Sequence, residues 1–366
     1  MKININRDTL LKPLSAVNGI VERRHTLPIL SNLLLQTGNG RISLTATDLE
    51  MQISMFAEYE GEDQLATTVS AKKLLDICRS LPEGSELKLV EQDTRMQVST
   101  GRSKFSLQTL PAADYPVMTK ASGSNLSLKI SQKLFRTLLR QVEFSMAQQD
   151  IRYYLNGLLL EVNGTLLHLV GTDGHRLSYI NTQLEQAFEK QEVILPRKTV
   201  TELIKLLEDT DEELTIEISG NQVNFTFSNI HLISKIIDGK FPDYNRVIPT
   251  GHRNKLTVNR ILVLQAMQRA SILSNEKYRG IRMVLGANNL RLVSNNSEQE
   301  EAEEELEVEY SGEPLDVGFN VTYLIDVLNN IQNEKVEFSL ADANSSCLVT
   351  VAEEANYKYV VMPMRI

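Results

Sequence analysis

Five consecutive residues, Thr172-Asp173-Gly174-His175-Arg176, bring together side chains that are capable of chemistry. An Asp close to a His is the composition of an acid–base pair, and a Gly among polar residues is typical of a phosphate-binding loop. No Ser or Cys in a recognised nucleophile motif accompanies His175. Because Asp173 is matched by Asp48 and Asn296 at equivalent places of a repeat, the pattern favours a turn over a catalytic site.

A hydrolase or a nucleotide-binding enzyme built on this loop is the alternative. Such an enzyme would carry a P-loop, a dinucleotide fingerprint or a cluster of metal ligands, and the sequence contains none of these. The two cysteines, Cys78 and Cys347, stand in no metal-ligand spacing. We expect both to be buried apolar residues in a reducing compartment. The sequence therefore predicts a protein that is not an enzyme, with no metal and no cofactor.

The chain repeats itself three times at the spacing of a whole domain. Leu44, Leu169 and Leu292 open the similar phrases LTATD, LVGTD and LVSNN. Two further phrases, one in each of two helical segments, recur in the same order. A period of about 125 residues is that of a domain, since a solenoid unit has about 20 to 50 residues. The predicted domains are 1–125, 126–253 and 254–366.

Each repeat is predicted to contain two amphipathic helices among about eight short strands. Apolar residues at three- and four-residue steps predict helices at 8–16, 132–141 and 260–270, and at 71–80, 198–207 and 321–330. Ser131 is the predicted N-cap of the helix that begins at 132. Turn signals lie at 38–40, 163–164 and 288–289. Two helices against antiparallel sheet make each repeat an α+β domain.

The composition is that of a globular protein, and its charge is unevenly placed. Hydrophobic residues make up 42% and charged residues 23%, and no apolar run is long enough for a membrane span. The start of the chain lacks the apolar core of a signal peptide. The net charge of −9 equals the nine Glu between 298 and 313, where no Lys, Arg or Asp occurs. The rest of the chain is therefore balanced.

The predicted helices are basic in this acidic protein. Together they carry more than twice as many basic as acidic residues, and only the sixth has no base and a single acid, Asp326. A solvated helix surface is one explanation. Because the bias recurs in equivalent helices, it also indicates a surface that follows a polyanion through phosphate contacts without reading sequence.

Six ordered phrases resemble the bacterial DNA polymerase III beta sliding clamps over the whole chain. They are TLPIL at 26–30, LPAAD at 110–114, QDIRYYLNG at 149–157, TDGHRL at 172–177, ILSNEK at 272–277 and VVMPMR at 360–365. The resemblance implies three tandem clamp domains, each with antiparallel sheet outside and two helices inside. It also implies a head-to-tail homodimer that closes as a ring of six domains around duplex DNA. The function implied is that of a replication processivity factor.

The resemblance also implies three sets of functional residues. The DNA-binding residues would be Arg24, Lys72, Gln149, Tyr153 and Tyr154. A peptide-binding groove would contain Leu155, Thr172, Gly174, His175, Arg176, Leu177, Pro242, Arg246, Val247, Tyr323, Ser346, Val360, Met362, Pro363, Met364 and Arg365. The dimer interface would contain Lys73, Arg95, Arg102, Lys104, Phe105, Leu107, Ile272, Leu273, Glu298, Glu300, Glu301 and Glu304.

The partners follow from these surfaces. Duplex DNA would be bound without sequence preference, and short linear motifs would dock in the groove. The proteins that carry such motifs would be the polymerase catalytic subunit, the clamp loader, translesion polymerases, ligase and mismatch-repair proteins. No membrane partner is expected, and the location would be the cytoplasm, at the nucleoid. An open, monomeric DNA-binding scaffold is a second alternative, which a measurement of size in solution separates from a closed dimer.

Overall fold

A computed structural model of the chain describes residues 2–21, 27–121, 123, 126–351 and 354–365. Arg24, which the resemblance assigns to DNA binding, lies outside the described residues. The chain divides into two compact units. Unit 1 is Met1–Arg136 with Thr201–Ile236, and unit 2 is Thr137–Val200 with Ile237–Ile366. Of the helices in the described part, none is long and apolar enough to cross a membrane.

The first repeat contains eight strands and two helices among its described residues. The strands are β1 (Lys2–Asn6), β2 (Asn32–Gly38), β3 (Arg41–Thr47), β4 (Met51–Glu58), β5 (Ala66–Ser70), β6 (Glu86–Gln92), β7 (Arg95–Thr100) and β8 (Ser103–Pro111). The helices are α1 (Arg7–Val17) and α2 (Ala71–Ser80). The side chain of Asn6 accepts from the Asp8 amide and caps α1, and that of Ser70 caps α2. Both helices were predicted within one residue at each end.

The second repeat has two helices, as predicted, and fewer but longer strands. Its elements are β9 (Leu126–Ser131), α3 (Gln132–Glu143), β10 (Gly157–Thr172), β11 (Arg176–Pro196), α4 (Arg197–Leu206), β12 (Glu213–Ser219), β13 (Gln222–Phe227) and β14 (Ile230–Lys235). The Ser131 hydroxyl accepts from the Leu134 amide, which confirms the predicted cap. The predicted turn at 163–164 is wrong, because β10 continues through it. Asn163 and Gly164 form a β-bulge within the strand: the pairing register shifts on both sides of Gly164, which has a φ of +59°.

The third repeat has two helices and nine strands in its described part. Its elements are β15 (Asn254–Asn259), α5 (Arg260–Ala270), β16 (Gly280–Gly286), β17 (Asn289–Asn295), β18 (Glu301–Glu307), β19 (Glu309–Tyr310), β20 (Leu315–Asn320), α6 (Val321–Asn330), β21 (Lys335–Leu340), β22 (Cys347–Val351) and β23 (Glu354–Val361). Both helices begin and end at the predicted residues.

Every strand pair between the named strands is antiparallel, and the pairs form three sheets. The order β1-β6-β7-β8-β5-β2-β3-β4-β14-β13-β12-β9 lies in unit 1. Unit 2 contains the orders β10-β11-β23-β22-β21-β15-β19 and β18-β17-β16-β20. The second repeat thus divides its strands between two sheets. One sheet joins it to the first repeat through β14 and β4, and the other joins it to the third through β11 and β23.

The helices bury one apolar face each, as their periodicity requires. In α2 this face contains Leu74, Leu75 and Cys78, and in α6 it contains Leu324 and Val327. The thiols of both cysteines are free and buried, as predicted. Burial raises the pKa of Cys78 to about 11 and raises that of Cys347 as well, so neither thiol is a nucleophile near neutral pH.

Candidate functional site

The segment Thr172–Arg176 is the tight connection between β10 and β11. The Asp173 carboxylate accepts from the backbone amides of His175 at 2.9 Å and Arg176 at 3.0 Å. The Thr172 hydroxyl donates to the Arg176 carbonyl at 2.6 Å and accepts from the Gly174 amide at 3.1 Å. Gly174 has a φ of +88°, in the left-handed region that favours glycine, and the Arg152 guanidinium lies close to the place that a Cβ would occupy.

The same turn occurs between β3 and β4 in the first repeat. There the Asp48 carboxylate accepts from the amides of Glu50 and Met51 at 3.0 and 2.7 Å. The Thr47 hydroxyl bonds to the Met51 carbonyl and the Leu49 amide, as Thr172 does to its equivalents. The aspartate is therefore committed to backbone hydrogen bonds in both repeats. This confirms that the repeated motif is a turn.

The turn forms one wall of an apolar pocket of about 200 Å³ in unit 2. The pocket is lined by Arg152, Tyr154, Leu155, Thr172, Gly174, Arg176, Leu177, Phe241, Pro242, Tyr244, Val247, Val360 and Met362. Nine of the predicted groove residues are in this lining. The predicted residues outside it are His175, Arg246, Tyr323, Ser346, Pro363, Met364 and Arg365. The structure thus gathers one cluster from segments more than 200 positions apart in sequence.

Four lining residues were not predicted as groove residues: Arg152, Tyr154, Phe241 and Tyr244. A signal for Phe241 was present in the sequence, because Phe241-Pro242 repeats the aromatic-proline step of Tyr115-Pro116. In the first repeat the Tyr115 hydroxyl turns inward and bonds to the Asn32 carbonyl and the Thr47 amide. The equivalent aromatic side chain in the second repeat faces the pocket instead.

The floor of the pocket is built by paired strands and its mouth by the chain end. Leu177 on β11 lies opposite Val360 on β23, and both are buried. Beyond β23, the Met362 amide donates to the His175 carbonyl at 2.9 Å, while the Met362 side chain is 40% exposed. An unbranched, exposed Met at the mouth of an apolar pocket adapts readily to different ligands.

The Arg176 guanidinium is held on every side. It bonds to the Asp173 carboxylate at 3.1 Å, the Asp326 carboxylate at 2.5 Å and the Phe144 carbonyl at 2.7 Å. It also lies 4.5 Å from the centre of the Tyr323 ring. Only 12% of the side chain is exposed. Because each guanidinium nitrogen is bonded to an acceptor, Arg176 contributes its hydrocarbon stem to the pocket. The bond to Arg176 also gives a role to Asp326, the single acid of α6.

We expect Asp326→Asn to weaken peptide binding about threefold to tenfold, because it removes a charge-assisted bond that fixes a pocket wall. The measurement is a titration with a peptide that carries a glutamine and a short apolar cluster. Asp316→Asn is the matched control, since it breaks an exposed pair with Arg282 on β16. Equal affinities in the two variants would show that Arg176 needs no support from α6.

The described residues assigned to DNA differ in environment. Lys72 is exposed on α2 but bonded to Asp76 at 2.5 Å, and Gln149 is exposed with a φ of +55°. Tyr153 is exposed, whereas Tyr154 packs on the apolar cluster around the pocket. Other helix lysines in unit 1 are also paired with acids, as Lys12–Glu208 and Lys205–Glu202. The basic character of the helices is thus partly neutralised.

The residues assigned to the dimer interface lie mostly on the surface. Ile272 is 75% exposed in a 3₁₀ helix, Ser271–Leu273, after α5. Two assigned residues offer less to a partner. Leu107 is only 8% exposed, and Glu304 on β18 is already bonded through both oxygens to Arg269 at 2.8 and 2.5 Å. That arginine lowers the pKa of the Glu304 carboxyl.

Comparison with known proteins yields matches along the whole chain. Family models described as the N-terminal, central and C-terminal domains of the DNA polymerase III beta subunit match residues 1–119, 129–243 and 245–365. The beta sliding clamps of Escherichia coli K12 and Vibrio cholerae are 46% and 44% identical to the chain, and each comparison covers 100% of both proteins.

Solved structures agree with these matches. A crystal structure of the DNA polymerase III subunit beta from Pseudomonas aeruginosa is 46% identical with a TM-score of 0.97. A clamp from the same organism bound to griselimycin is 46% identical with a TM-score of 0.96. A Caulobacter crescentus clamp is 39% identical with a TM-score of 0.95. All three cover the whole of both chains.

Three tandem α+β repeats joined edge to edge, with a pocket where the second meets the third, define a sliding clamp. The chain belongs to the DNA polymerase III beta subunit family, the bacterial beta sliding clamps. It is a DNA replication processivity factor, and family membership confirms both the predicted fold class and the prediction that it is not an enzyme.

Proposed function

We propose that this clamp closes as a head-to-tail dimer around duplex DNA, through the edges of β8 and β18, and tethers proteins by peptides bound in the pocket. The observation that carries the ring is the repeated joint between neighbouring repeats. A two-residue step recurs as Leu110-Pro111, Ile236-Ile237 and Met362-Pro363 in the three repeats. The strand that follows the Asp turn of one repeat pairs with the strand that precedes this step in the next repeat. This holds for β4 with β14 and for β11 with β23.

In the described part of each chain, two strands, β18 and β8, have no partner in a joint of this type. After the Asn296 turn comes β18, the outer strand of its sheet among the described strands. The Leu110-Pro111 step ends β8, whose residues 103–108 pair with β7 alone in the described part. An open edge invites pairing with another chain. If β18 of one protomer and β8 of its partner form the same joint, two chains close on themselves and neither of these two edges stays open.

Charge supports this pairing. Exposed acids at Glu298, Glu300 and Glu301 lie at or beside β18, and exposed bases at Arg102 and Lys104 lie at or beside β8. Opposite charges at the rim of an interface contribute little affinity but select the correct partner face. Identical edges would repel one another, so charge opposes a head-to-head dimer and favours the head-to-tail one.

The pocket fits an extended peptide with a short apolar cluster. Leu177, Val247 and Val360 provide an apolar surface, and the exposed Met362 can close over a ligand. The expected occupants are motifs from the polymerase catalytic subunit, the clamp loader, translesion polymerases, ligase and mismatch-repair proteins. Tethering through such a motif raises the effective concentration of each enzyme at the DNA. The remaining predicted groove residues would contact the flanks of the motif.

The proposed DNA contacts are few and salt-sensitive, which allows a ring to slide. They are Arg24, Lys72, Gln149, Tyr153 and Tyr154. We place the domains at 1–125, 126–253 and 254–366, and the protein in the cytoplasm at the nucleoid.

Replacing Ile272 and Leu273 by Ala tests the proposed ring. The change should weaken dimer association by about 2 kcal/mol or more, because exposed apolar anchors of this kind are buried when an interface forms. Sedimentation at low concentration measures the dimer. Primer extension on a circular template, with polymerase and clamp loader, measures function, and the variant should yield short products.

The matched control is Ile261→Ala, which shortens an exposed side chain on α5 outside the assigned interface. A double variant that remains a dimer at low concentration would contradict the interface assignment. A wild-type chain that is monomeric would favour the open scaffold.

A further inference from the structure

We propose that Glu161 positions one wall of the peptide pocket through Tyr244, without contacting the peptide. The proposal deepens the function above and rests on the pocket being the peptide site. Tyr244 lines the pocket from the 3₁₀ helix Tyr244–Arg246. Glu161 lies on β10, is 6% exposed and does not line the pocket.

The geometry links the two side chains directly. The Tyr244 hydroxyl donates to Glu161 Oε1 at 3.3 Å. The other oxygen, Oε2, lies 3.1 Å from the Nζ of Lys190 on β11. A buried carboxylate is tolerated only when it is paired and hydrogen-bonded, and these two groups supply both requirements. Because Lys190 is more than half exposed, its charge reaches the buried site from the surface.

A second tyrosine holds the Tyr244 ring from the side. The rings of Tyr179 and Tyr244 lie 5.6 Å apart at 32°. The Tyr179 hydroxyl accepts from the Asn181 amide at 2.8 Å and lies 2.9 Å from His168 Nδ1. With the Asn181 amide as donor, the Tyr179 proton is left for the His168 nitrogen. Burial lowers the pKa of His168, which keeps this imidazole neutral and able to accept.

These contacts leave the Tyr244 side chain, and with it one wall of the pocket, little conformational freedom. The hydroxyl of Tyr244 is fixed by Glu161, and its ring is fixed by Tyr179. A pocket whose walls are already ordered loses less entropy when a peptide binds. Glu161 therefore contributes to affinity by holding Tyr244 in the orientation that the empty pocket already has.

The experiment compares peptide dissociation constants for Glu161→Ala, Glu161→Gln and Tyr244→Phe. The probe is a synthetic peptide with one glutamine and a short apolar cluster, titrated into the full-length protein by calorimetry. Glu161→Ala and Tyr244→Phe should each weaken binding about fivefold to tenfold, because both remove the same bond. Glu161→Gln keeps an acceptor for the hydroxyl and should stay within about twofold of wild type.

The double variant of Glu161→Ala with Tyr244→Phe separates positioning from general destabilisation. If the residues act as one unit, it should bind no more weakly than either single variant. Glu192→Ala is the matched control, because Glu192 approaches Lys190 at 3.6 Å without reaching Tyr244. Its affinity should equal that of wild type.

Three results would overturn the inference. Tyr244→Phe with wild-type affinity would do so even if Glu161→Ala failed to fold. Additive losses in the double variant would show that the two residues act separately. A wild-type protein that does not bind the peptide would refute the proposed groove and this inference with it. If only the inference is wrong, wild type and Glu161→Ala bind equally, and removal of the chain end still abolishes binding.

Discussion

Removing residues 362–366 is expected to abolish peptide binding while the dimer and the fold persist. The deletion begins directly after β23 ends at Val361, so the paired strands of the core remain. It removes Met362 from the mouth of the pocket, together with the backbone bond from Met364 to the Gly318 carbonyl. We expect a loss of at least about 2 kcal/mol, roughly 30-fold in the dissociation constant.

Calorimetry with the glutamine-containing peptide measures this loss, and circular dichroism with sedimentation verifies fold and dimer. The matched control removes only Ile366 and keeps every predicted groove residue, so its affinity should be close to wild type. The truncated protein should also fail to support processive synthesis although a loaded ring still slides. Unchanged affinity after removal of 362–366 would place the peptide site elsewhere.

Salt that abolishes direct DNA binding is expected to leave loaded clamps on closed circles. Direct binding depends on phosphate contacts, and its affinity falls by orders of magnitude as salt rises. Retention on a circle depends on enclosure, which salt screens only at the interface rim. The clamp should therefore stay on nicked circular DNA in high salt and leave soon after the circle is cut.

Gel filtration of labelled clamp on nicked plasmid, before and after linearisation, measures the two lifetimes. The dimer-interface variant with Ala at 272 and 273 provides the control, because an unstable ring should leave circles and linear DNA alike. Equal loss of the wild-type clamp from circular and linear DNA would contradict enclosure. The first alternative to consider would then be an open scaffold held by charge.

Local sequence patterns were sufficient for the helices. The apolar faces and the predicted cap at Ser131 are decided within a few residues, so the predicted and observed bounds nearly coincide. The turn predicted at 163–164 is wrong for the opposite reason. Asn-Gly is a strong local turn signal, but pairing of β10 with β11 along their length overrides it. That pairing depends on residues distant in sequence.

Some features of the pocket could likewise be predicted from the sequence, and others depend on the fold. The repeated phrase around Asp173 predicted a turn, and the resemblance predicted Leu177 and Val360 as neighbours in one groove. The contacts that hold the pocket could not be predicted from one sequence. Arg176 bonds to Asp326, and Tyr244 bonds to Glu161, across 150 and 83 positions. Neither acid stands in a motif, so only the fold identifies its partner.

The second repeat divides its strands between two sheets. The segment that is repeated in the sequence is therefore not a segment that can be isolated as a stable fragment. A fragment cut at the repeat boundaries, residues 126–253, would leave β14 without β4 and β11 without β23. Both strands would then present bare amide and carbonyl rows to solvent, and such fragments tend to aggregate. The borders of the two compact units, at 136/137, 200/201 and 236/237, also fall inside the second repeat, and the first two lie within α3 and α4. A truncation that preserves both joints would therefore have to keep the whole second repeat together with β4 and β23.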